Sequence, residues 1–171
     1  MSEENKNLVR FYFDEILNKK NLDGIEPVIT GDSFFRAPNM PEARGCEETR
    51  QAVLAVHTAF PDICYAIEDM IAEGDRVVAR WSVTGTQKGE WMGIKPTGKA
   101  LSISGVSIFR ILEGKIAEQL VQFDSLGAIK QLSPPPSPHR SEQKPKPKPK
   151  PKKKVQVRKK AAPKAKKRTR R

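Results

Sequence analysis

A carboxylate ends the last of three consecutive strand-like segments, and it is the first candidate catalytic group in this sequence. Asp124 directly follows an apolar stretch that includes Val121 and Phe123. In an apolar pocket, loss of hydration raises the pKa of a carboxyl toward neutral pH, so that the group can accept and return a proton. The alternative is structural, because an aspartate before a helix beginning at Ser125 is a favourable N-cap.

The segments that position this acid are predicted to form an antiparallel meander. Strands are indicated over 63–71, 76–86 and 100–112 and again after the Glu113-Gly114 turn, with a Gly- and Lys-rich stretch over 85–98. On the strand over 100–112, the more apolar alternate positions are predicted to face the helices, and Gly105 to mark a bend. These positions are Leu101, Ile103, Gly105, Ser107, Phe109 and Ile111.

Three helices are predicted ahead of this meander. The first is amphipathic, with apolar residues at three- and four-residue spacing from Leu8 to Leu17. The second, over 21–29, is weakened by Gly24 and Pro27. The third carries one apolar face from Cys46 to Phe60 and ends at Pro61. A closing helical turn is expected over 125–132.

Several motifs together resemble the SnoaL-like polyketide cyclases, a family of the nuclear transport factor 2-like superfamily. They are RWSVTGTQKGEWMGIKPTGK, SISGVSIFRI, the EGKIAE turn and the closing FD. The resemblance covers residues 1–132. It implies an α+β fold in which a curved antiparallel β-sheet packs on three N-terminal helices, a cone-shaped α+β barrel around a pocket. It also implies a homodimer, since the convex face of such sheets commonly mediates dimers in the superfamily.

The resemblance implies an intramolecular aldol-type ring closure without metal or organic cofactor. Asp124 matches the acid/base of these cyclases, and Gln122, two residues earlier, would hydrogen-bond the developing enolate. The predicted lining of the pocket, for a small apolar or polyketide-like ligand, is Tyr12, Phe35, Arg36, Trp81, Trp91 and Met92. For the helix and strand aromatics the alternative is plain core packing, and for Arg36 it is a solvated loop charge or a pair with Asp124.

Two departures from the family pattern favour a competing interpretation. Phe34 to Pro38 stand where many members have an Asp-His pair, and Gln119-Leu120 replace a common His-Trp pair. The alternative function is a non-catalytic ligand-binding or dimerisation module. His57, the only histidine before residue 133, is interpreted as a structural or rim residue, and no metal site is predicted because no second ligand stands at a suitable spacing.

The charge divides the chain into an acidic domain over 1–132 and a basic tail over 133–171. The domain has 15 Lys and Arg against 19 Asp and Glu, whereas the tail has 17 against 1. The Pro- and Lys-rich tail is predicted to be disordered and to bind nucleic acid or another polyanion without reading sequence. A solvated extension without a partner is the alternative. The predicted polyanion-binding residues are Lys144, Lys146, Lys148, Lys150, Lys152, Lys153, Lys154, Arg158, Lys159 and Lys160.

The remaining composition predicts a location inside the cell. Cys46 and Cys64 are too few for a disulfide framework and match no metal-binding spacing. The first twenty residues lack the apolar core of a secretory signal, and no apolar run is long enough to span a bilayer. We therefore expect a cytoplasmic protein, with the nucleus as the alternative in a eukaryote.

Overall fold

The computed structural model describes residues 2–133. The basic tail and all of its predicted polyanion-binding residues lie outside this part of the chain. Its disorder and its partner therefore stay predictions.

The helices form where the apolar periodicity predicts them. Helix α1 spans Ser2–Phe11 and continues as wider, π-helical turns over Tyr12–Asn18. A 3₁₀ turn at Leu22–Gly24 leads into the short helix α2, Ile25–Val28, and helix α3 spans Gly45–Ala59. The last helix, α4, spans Ser125–Leu132. The first helical segment buries Val9, Tyr12, Phe13 and Ile16, which is the apolar stripe read from the sequence.

Six strands form one curved sheet whose order is β2-β1-β6-β5-β4-β3. Their bounds are Ile29–Arg36 for β1, Ala43–Arg44 for β2, Cys64–Glu73 for β3, Arg76–Thr86 for β4, Ala100–Leu112 for β5 and Lys115–Phe123 for β6. Strands β3 to β6 pair as the predicted antiparallel meander. The fold class is therefore α+β, as predicted.

Strand β1 makes the sheet mixed rather than fully antiparallel. It pairs in parallel with β6, through partners such as Phe35 with Gln119. This strand and β2 lie between α2 and α3, and all three helices precede the meander, as predicted. The parallel pairing was not predicted, because a parallel pair cannot be joined by a hairpin and residues as far apart in the chain as Phe35 and Gln119 leave no local signal of their pairing.

The hydrophobic core lies between the helices and the inner face of the sheet. Leu101, Phe109 and Ile111 of β5 are buried there, as the alternation predicts. The fully buried Phe109 ring makes edge-to-face contacts with Tyr12 and Phe13, at centroid distances of 6.0 and 6.2 Å. These contacts join the first helical segment to the middle of the sheet.

The glycine in β5 has a packing role. Gly105 lies opposite Trp81 of β4, and a Cβ placed on it would lie 2.5 Å from Cζ2 of that indole. The indole, 4% exposed, therefore lies directly against the glycine backbone. Close approach of a ring is a recognised reason for glycine within a strand.

A candidate small-molecule pocket

An apolar cavity lies between the helices and the inner face of the sheet. Its cavity volume is about 90 Å³, which is below the ~300 to 1,000 Å³ range of pockets for drug-sized ligands. The π-helical turns, α3 and strands β4 to β6 supply most of the wall. The lining residues used below are Tyr12, Leu17, Phe35, Thr49, His57, Phe60, Tyr65, Trp81, Trp91, Ser107, Gln119, Val121 and Phe123.

Four of the six predicted ligand-contact residues line this cavity. They are Tyr12, Phe35, Trp81 and Trp91. The other two, Arg36 and Met92, lie outside it. Their positions do not support the predicted contact with a ligand.

Arg36 forms a surface ion pair instead of entering the cavity. Its guanidinium lies 2.9 Å from Glu42, and its side chain is 61% exposed. It also lies over the ring of Phe34, at 5.7 Å from the centroid. The predicted alternative of a pair with Asp124 is not found, because the nearby Glu42 satisfies the cation.

Met92 occupies a turn rather than the wall. It has φ of 50° and is followed by Gly93 at 76°, and the flanking Trp91 and Ile94 bond to each other through both backbone amides. Two consecutive residues with positive φ are the signature of a tight, type I′-like turn. The turn places Trp91 in the cavity wall and leaves Met92 outside the lining.

Trp91 covers the cavity from the loop between β4 and β5. Its ring stacks on Phe123, with an interplanar angle of 24°, and meets Phe60 edge-on at 5.3 Å. Its indole Nε1 is buried and has no hydrogen-bond partner within residues 2–133. The loop thus presents an unused hydrogen-bond donor within an aromatic wall.

Gln87 holds this loop in place, a role that sequence reasoning missed. The side chain is fully buried; its amide donates to the Ile94 carbonyl at 3.0 Å, and its Oε1 accepts from the backbone N–H and hydroxyl of Thr97 at 3.2 and 2.7 Å. A buried amide that satisfies three loop groups at once fixes a segment without regular structure. A glutamine in a polar loop gives no sequence signal of burial.

Most of the polar groups in the cavity are committed or neutral. Trp81 Nε1 donates to Ser107 Oγ at 2.9 Å, and Thr49 donates to the Gly45 carbonyl. Burial raises the pKa of the Tyr12 and Tyr65 hydroxyls, with Tyr65 adding to the rise at Tyr12 and a hydrogen bond with Gln119 opposing it. Both phenols therefore stay protonated at neutral pH and can donate hydrogen bonds.

His57 lies in this wall and is 7% exposed. The sequence interpretation left it as a structural or rim residue, but the structure places it within the cavity lining. Its Nε2 lies 2.8 Å from the carbonyl oxygen of Leu17. Burial lowers its pKa most, the Leu17 carbonyl raises it, and the Lys20 charge lowers it again.

Asp124 and Gln122 lie outside the cavity, contrary to the sequence prediction. The cavity-facing residues of β6 are Gln119, Val121 and Phe123. Side chains alternate between the two faces of a strand, so the even-numbered positions point away from the pocket. Gln122 is accordingly exposed.

The structure instead supports the capping interpretation of Asp124. Its exposed carboxylate accepts a hydrogen bond from the Gly127 N–H at 2.8 Å and so caps the start of α4. Among the residues that line the cavity there is no Asp or Glu. The residues through which β6 does reach the cavity include Val121 and no acid.

Asp124→Asn is expected to leave ligand turnover and stability nearly unchanged, because asparagine is an equally good N-cap and the side chain does not reach the cavity. Asp124→Ala should cost about 0.5 to 2 kcal/mol of stability through loss of the cap. Turnover assays and urea denaturation of both variants measure this. A large loss of turnover in a well-folded Asp124→Asn protein would restore the acid/base role.

Residues 2–133 show the features of neither a metal centre nor a membrane-spanning helix. Within 2–133, no group of three or more His, Cys, Asp or Glu side chains is arranged to hold a metal ion. In the same part of the chain, every helix is too short or too polar to cross a membrane.

Comparison with known proteins places this architecture among relatives. One relative, the aklanonic acid methyl ester cyclase DnrD of Streptomyces peucetius, is 33% identical over 100 residues, 57% of this chain and 69% of the relative. The structure of TsrD from Streptomyces laurentii matches with a TM-score of 0.69 and 27% identity, over 77% of this chain and 96% of TsrD. A SnoaL-like protein from Jannaschia sp. CCS1 shares the fold, with a TM-score of 0.74 and 24% identity over 79% of this chain and 95% of that one.

The family comparison covers most of the domain. The family model for SnoaL-like polyketide cyclase matches residues 6–132, from the middle of α1 to the end of α4. The match agrees with the motifs that carried the resemblance in the sequence. The chain belongs to the SnoaL-like polyketide cyclase family.

Proposed function

We propose that the cavity binds a largely apolar, polyketide-type ester and closes a ring in it by intramolecular aldol addition, without metal or organic cofactor. The related DnrD is an aklanonic acid methyl ester cyclase. The aromatic and aliphatic side chains of the wall can pack against the rings of such a molecule and against the part of its chain that closes into a new ring. Its few polar groups suit the ketone and ester oxygens of such a molecule.

The observation that carries this proposal is the unused donor of Trp91. A buried N–H without an acceptor costs about 1 to 3 kcal/mol, and here it belongs to a residue in the wall of a largely apolar cavity. A ligand carbonyl would accept this hydrogen bond while its rings pack against Phe60 and Phe123. The same interaction would orient the ester and stabilise negative charge that develops on its oxygen.

The tyrosine hydroxyls and Gln119 provide further donors in the wall of the cavity. Because burial keeps Tyr12 and Tyr65 protonated, they would act as neutral hydrogen-bond donors to ketone oxygens. Gln119, 7% exposed, bonds with Tyr12 and also lines the cavity. Several donors acting together would hold a flexible chain folded, which brings a carbon nucleophile close to a carbonyl.

The second candidate function is ligand binding without turnover. It is favoured by one observation, the absence of any carboxylate among the residues lining the cavity. Under this interpretation the aromatic wall and its donors hold a polyketide-like molecule but no group removes a proton from it. Measuring binding and turnover separately distinguishes the two functions.

Trp91→Phe tests the ligand contact, since phenylalanine keeps an aromatic ring at this position and loses the N–H donor together with part of the ring surface. We expect the Kd for an aryl β-keto methyl ester to rise about 5- to 10-fold, equivalent to about 1 to 1.4 kcal/mol for one hydrogen bond. Isothermal titration calorimetry measures the affinity, and chromatography with mass detection follows ring closure as a change of retention at constant mass.

The matched control is Met92→Asn, in the same loop but outside the cavity lining. Asparagine tolerates positive φ, so the turn should be kept and the Kd should not change. Equal affinity of Trp91→Phe and the unmodified protein would remove the support from Trp91. No saturable binding of any such ester to the unmodified protein would contradict both candidate functions.

A further inference from the structure

One lining residue of the cavity has the chemistry of a base. The aromatic and aliphatic side chains cannot accept a proton, the phenols of Tyr12 and Tyr65 are held protonated by burial, and hydroxyl and amide groups are too weakly basic. His57 is the histidine of this lining. A neutral imidazole has one nitrogen with a free lone pair, and which nitrogen that is follows from its contacts.

The contact with Leu17 fixes the tautomer of His57. A carbonyl oxygen can only accept, so the 2.8 Å contact requires the proton to be on Nε2. Nδ1 then carries the lone pair, and within residues 2–133 no side chain or backbone group donates to it. The backbone of the π-helical turns thus orients the ring, much as second partners orient histidine bases in enzymes.

We propose that Nδ1 of His57 is the general base that starts ring closure in this protein, an assignment that rests on the proposed aldol reaction. Nδ1 takes a proton from the carbon between two carbonyl groups, which gives an enolate and an imidazolium. The enolate carbon attacks a ketone of the same molecule, so that one C–C bond forms and the ketone becomes an alkoxide. The alkoxide takes the proton back from Nδ1, and His57 returns to its neutral form with no redox change and no leaving group.

The surroundings of His57 favour this role at neutral pH. Burial and the charge of Lys20 lower its pKa below the ordinary value of 6.5, although the Leu17 carbonyl opposes the shift. The tyrosines that face the same cavity, Tyr12 and Tyr65, are neutral. A base works only when unprotonated, so turnover should be constant near pH 7 and fall as the pH drops through the lowered pKa of His57.

His57→Gln is the decisive variant, because the glutamine amide lies as many bonds from Cβ as Nε2 does and can still donate to Leu17. The variant keeps the structural hydrogen bond and removes the base. We expect kcat to fall at least about 100-fold, the usual contribution of a general base, with the Kd for the ester unchanged within about 3-fold. His139→Gln, which removes the other histidine of the chain, is the control and should keep full activity.

Deuterium exchange into a substrate analogue tests the base role of His57 independently of the proposed ring closure. The probe is an aryl β-keto methyl ester without the second ketone, so that it cannot cyclise, and NMR in D₂O follows loss of its acidic C–H. The unmodified protein should accelerate exchange over buffer, and His57→Gln should not. If the unmodified protein accelerates exchange but does not close the ring of a cyclisable ester, the proposed function is refuted and His57 is supported as the base. If both proteins accelerate exchange equally, the His57 assignment is overturned and the proposed ring closure is unaffected.

Should His57→Gln fail to fold, the unmodified protein still tests the assignment. Long-range ¹H–¹⁵N spectra of histidine-labelled full-length protein distinguish the two tautomers. We expect the His57 signal to show a protonated Nε2 and a free Nδ1 whose chemical shift changes when the ester binds. A proton on Nδ1 at neutral pH would overturn the proposal.

Discussion

Phe109→Ala is expected to lower the free energy of unfolding by about 3 to 5 kcal/mol, the usual cost of removing a buried phenylalanine from a core. Phe109 is fully buried, and its ring contacts both Tyr12 and Phe13. The substitution removes the packing that joins the first helical segment to β5. Since Tyr12 also lines the cavity, we expect the affinity for the ester to fall as well. Domains of this size are stable by only about 5 to 15 kcal/mol, so the change in the denaturation midpoint should be large.

Ile108→Ala, one residue earlier on β5, is the matched control for Phe109→Ala. Ile108 points to the other face of the sheet and is 37% exposed. Its loss should cost about 1 kcal/mol or less and leave ligand affinity unchanged. Urea denaturation monitored by circular dichroism measures both variants. If the two substitutions had equal effects, the assignment of the inner face of β5 as the core would be wrong.

The meander was predictable from the sequence because its information is local. Glu113 and Gly114 both have positive φ in the structure, as a two-residue hairpin turn requires. The alternation along β5 identified the buried face, and the periodicity of the first helical segment identified Tyr12. The parallel pairing of β1 with β6 left no such trace, since both strands are ordinary in composition and far apart in the chain.

The error at Asp124 shows how narrowly side-chain direction depends on position in a strand. A shift of one residue along β6 moves every side chain to the opposite face. Val121 and Phe123 reach the cavity, and the acid that follows them turns away and caps α4. The sequence predicted the apolar surroundings of this strand end and the helix that begins at Ser125, but it left open whether Asp124 faces the pocket or caps that helix.

The roles of His57 and Gln87 could not be predicted from the sequence, for a different reason. Each role depends on tertiary contacts with residues distant in sequence or placed by an irregular loop. A histidine on an apolar helical face is usually structural, so the spacing alone supported the conservative interpretation. The contact with the Leu17 carbonyl, which assigns the tautomer, arises only when the π-helical turns pack against α3.

Gly105→Ala is expected to destabilise the domain by about 1 to 3 kcal/mol, the range for overpacking a core. The new methyl group would lie 2.5 Å from Cζ2 of Trp81 and 2.7 Å from the Gln122 carbonyl oxygen. The indole must move, which strains its hydrogen bond to Ser107 and shifts a wall of the cavity. We therefore expect a lower denaturation midpoint, altered tryptophan fluorescence and weaker ester binding.

Gly31→Ala provides the matched control for Gly105→Ala, because both glycines lie in strands and neither has positive φ. Nothing lies within 4 Å of a Cβ at Gly31, so alanine there should be neutral or add up to about 1 kcal/mol of stability by restricting the unfolded chain. Adding Trp81→Phe to the Gly105→Ala protein removes the ring atoms that clash with the new methyl group. The double variant should therefore recover the part of the lost stability that is due to the indole. Recovery cannot be complete, since the Gln122 carbonyl belongs to the backbone of β6 and cannot move away without disturbing the pairing of the two strands. Full stability of the single Gly105→Ala variant would mean that Trp81 does not lie against this glycine.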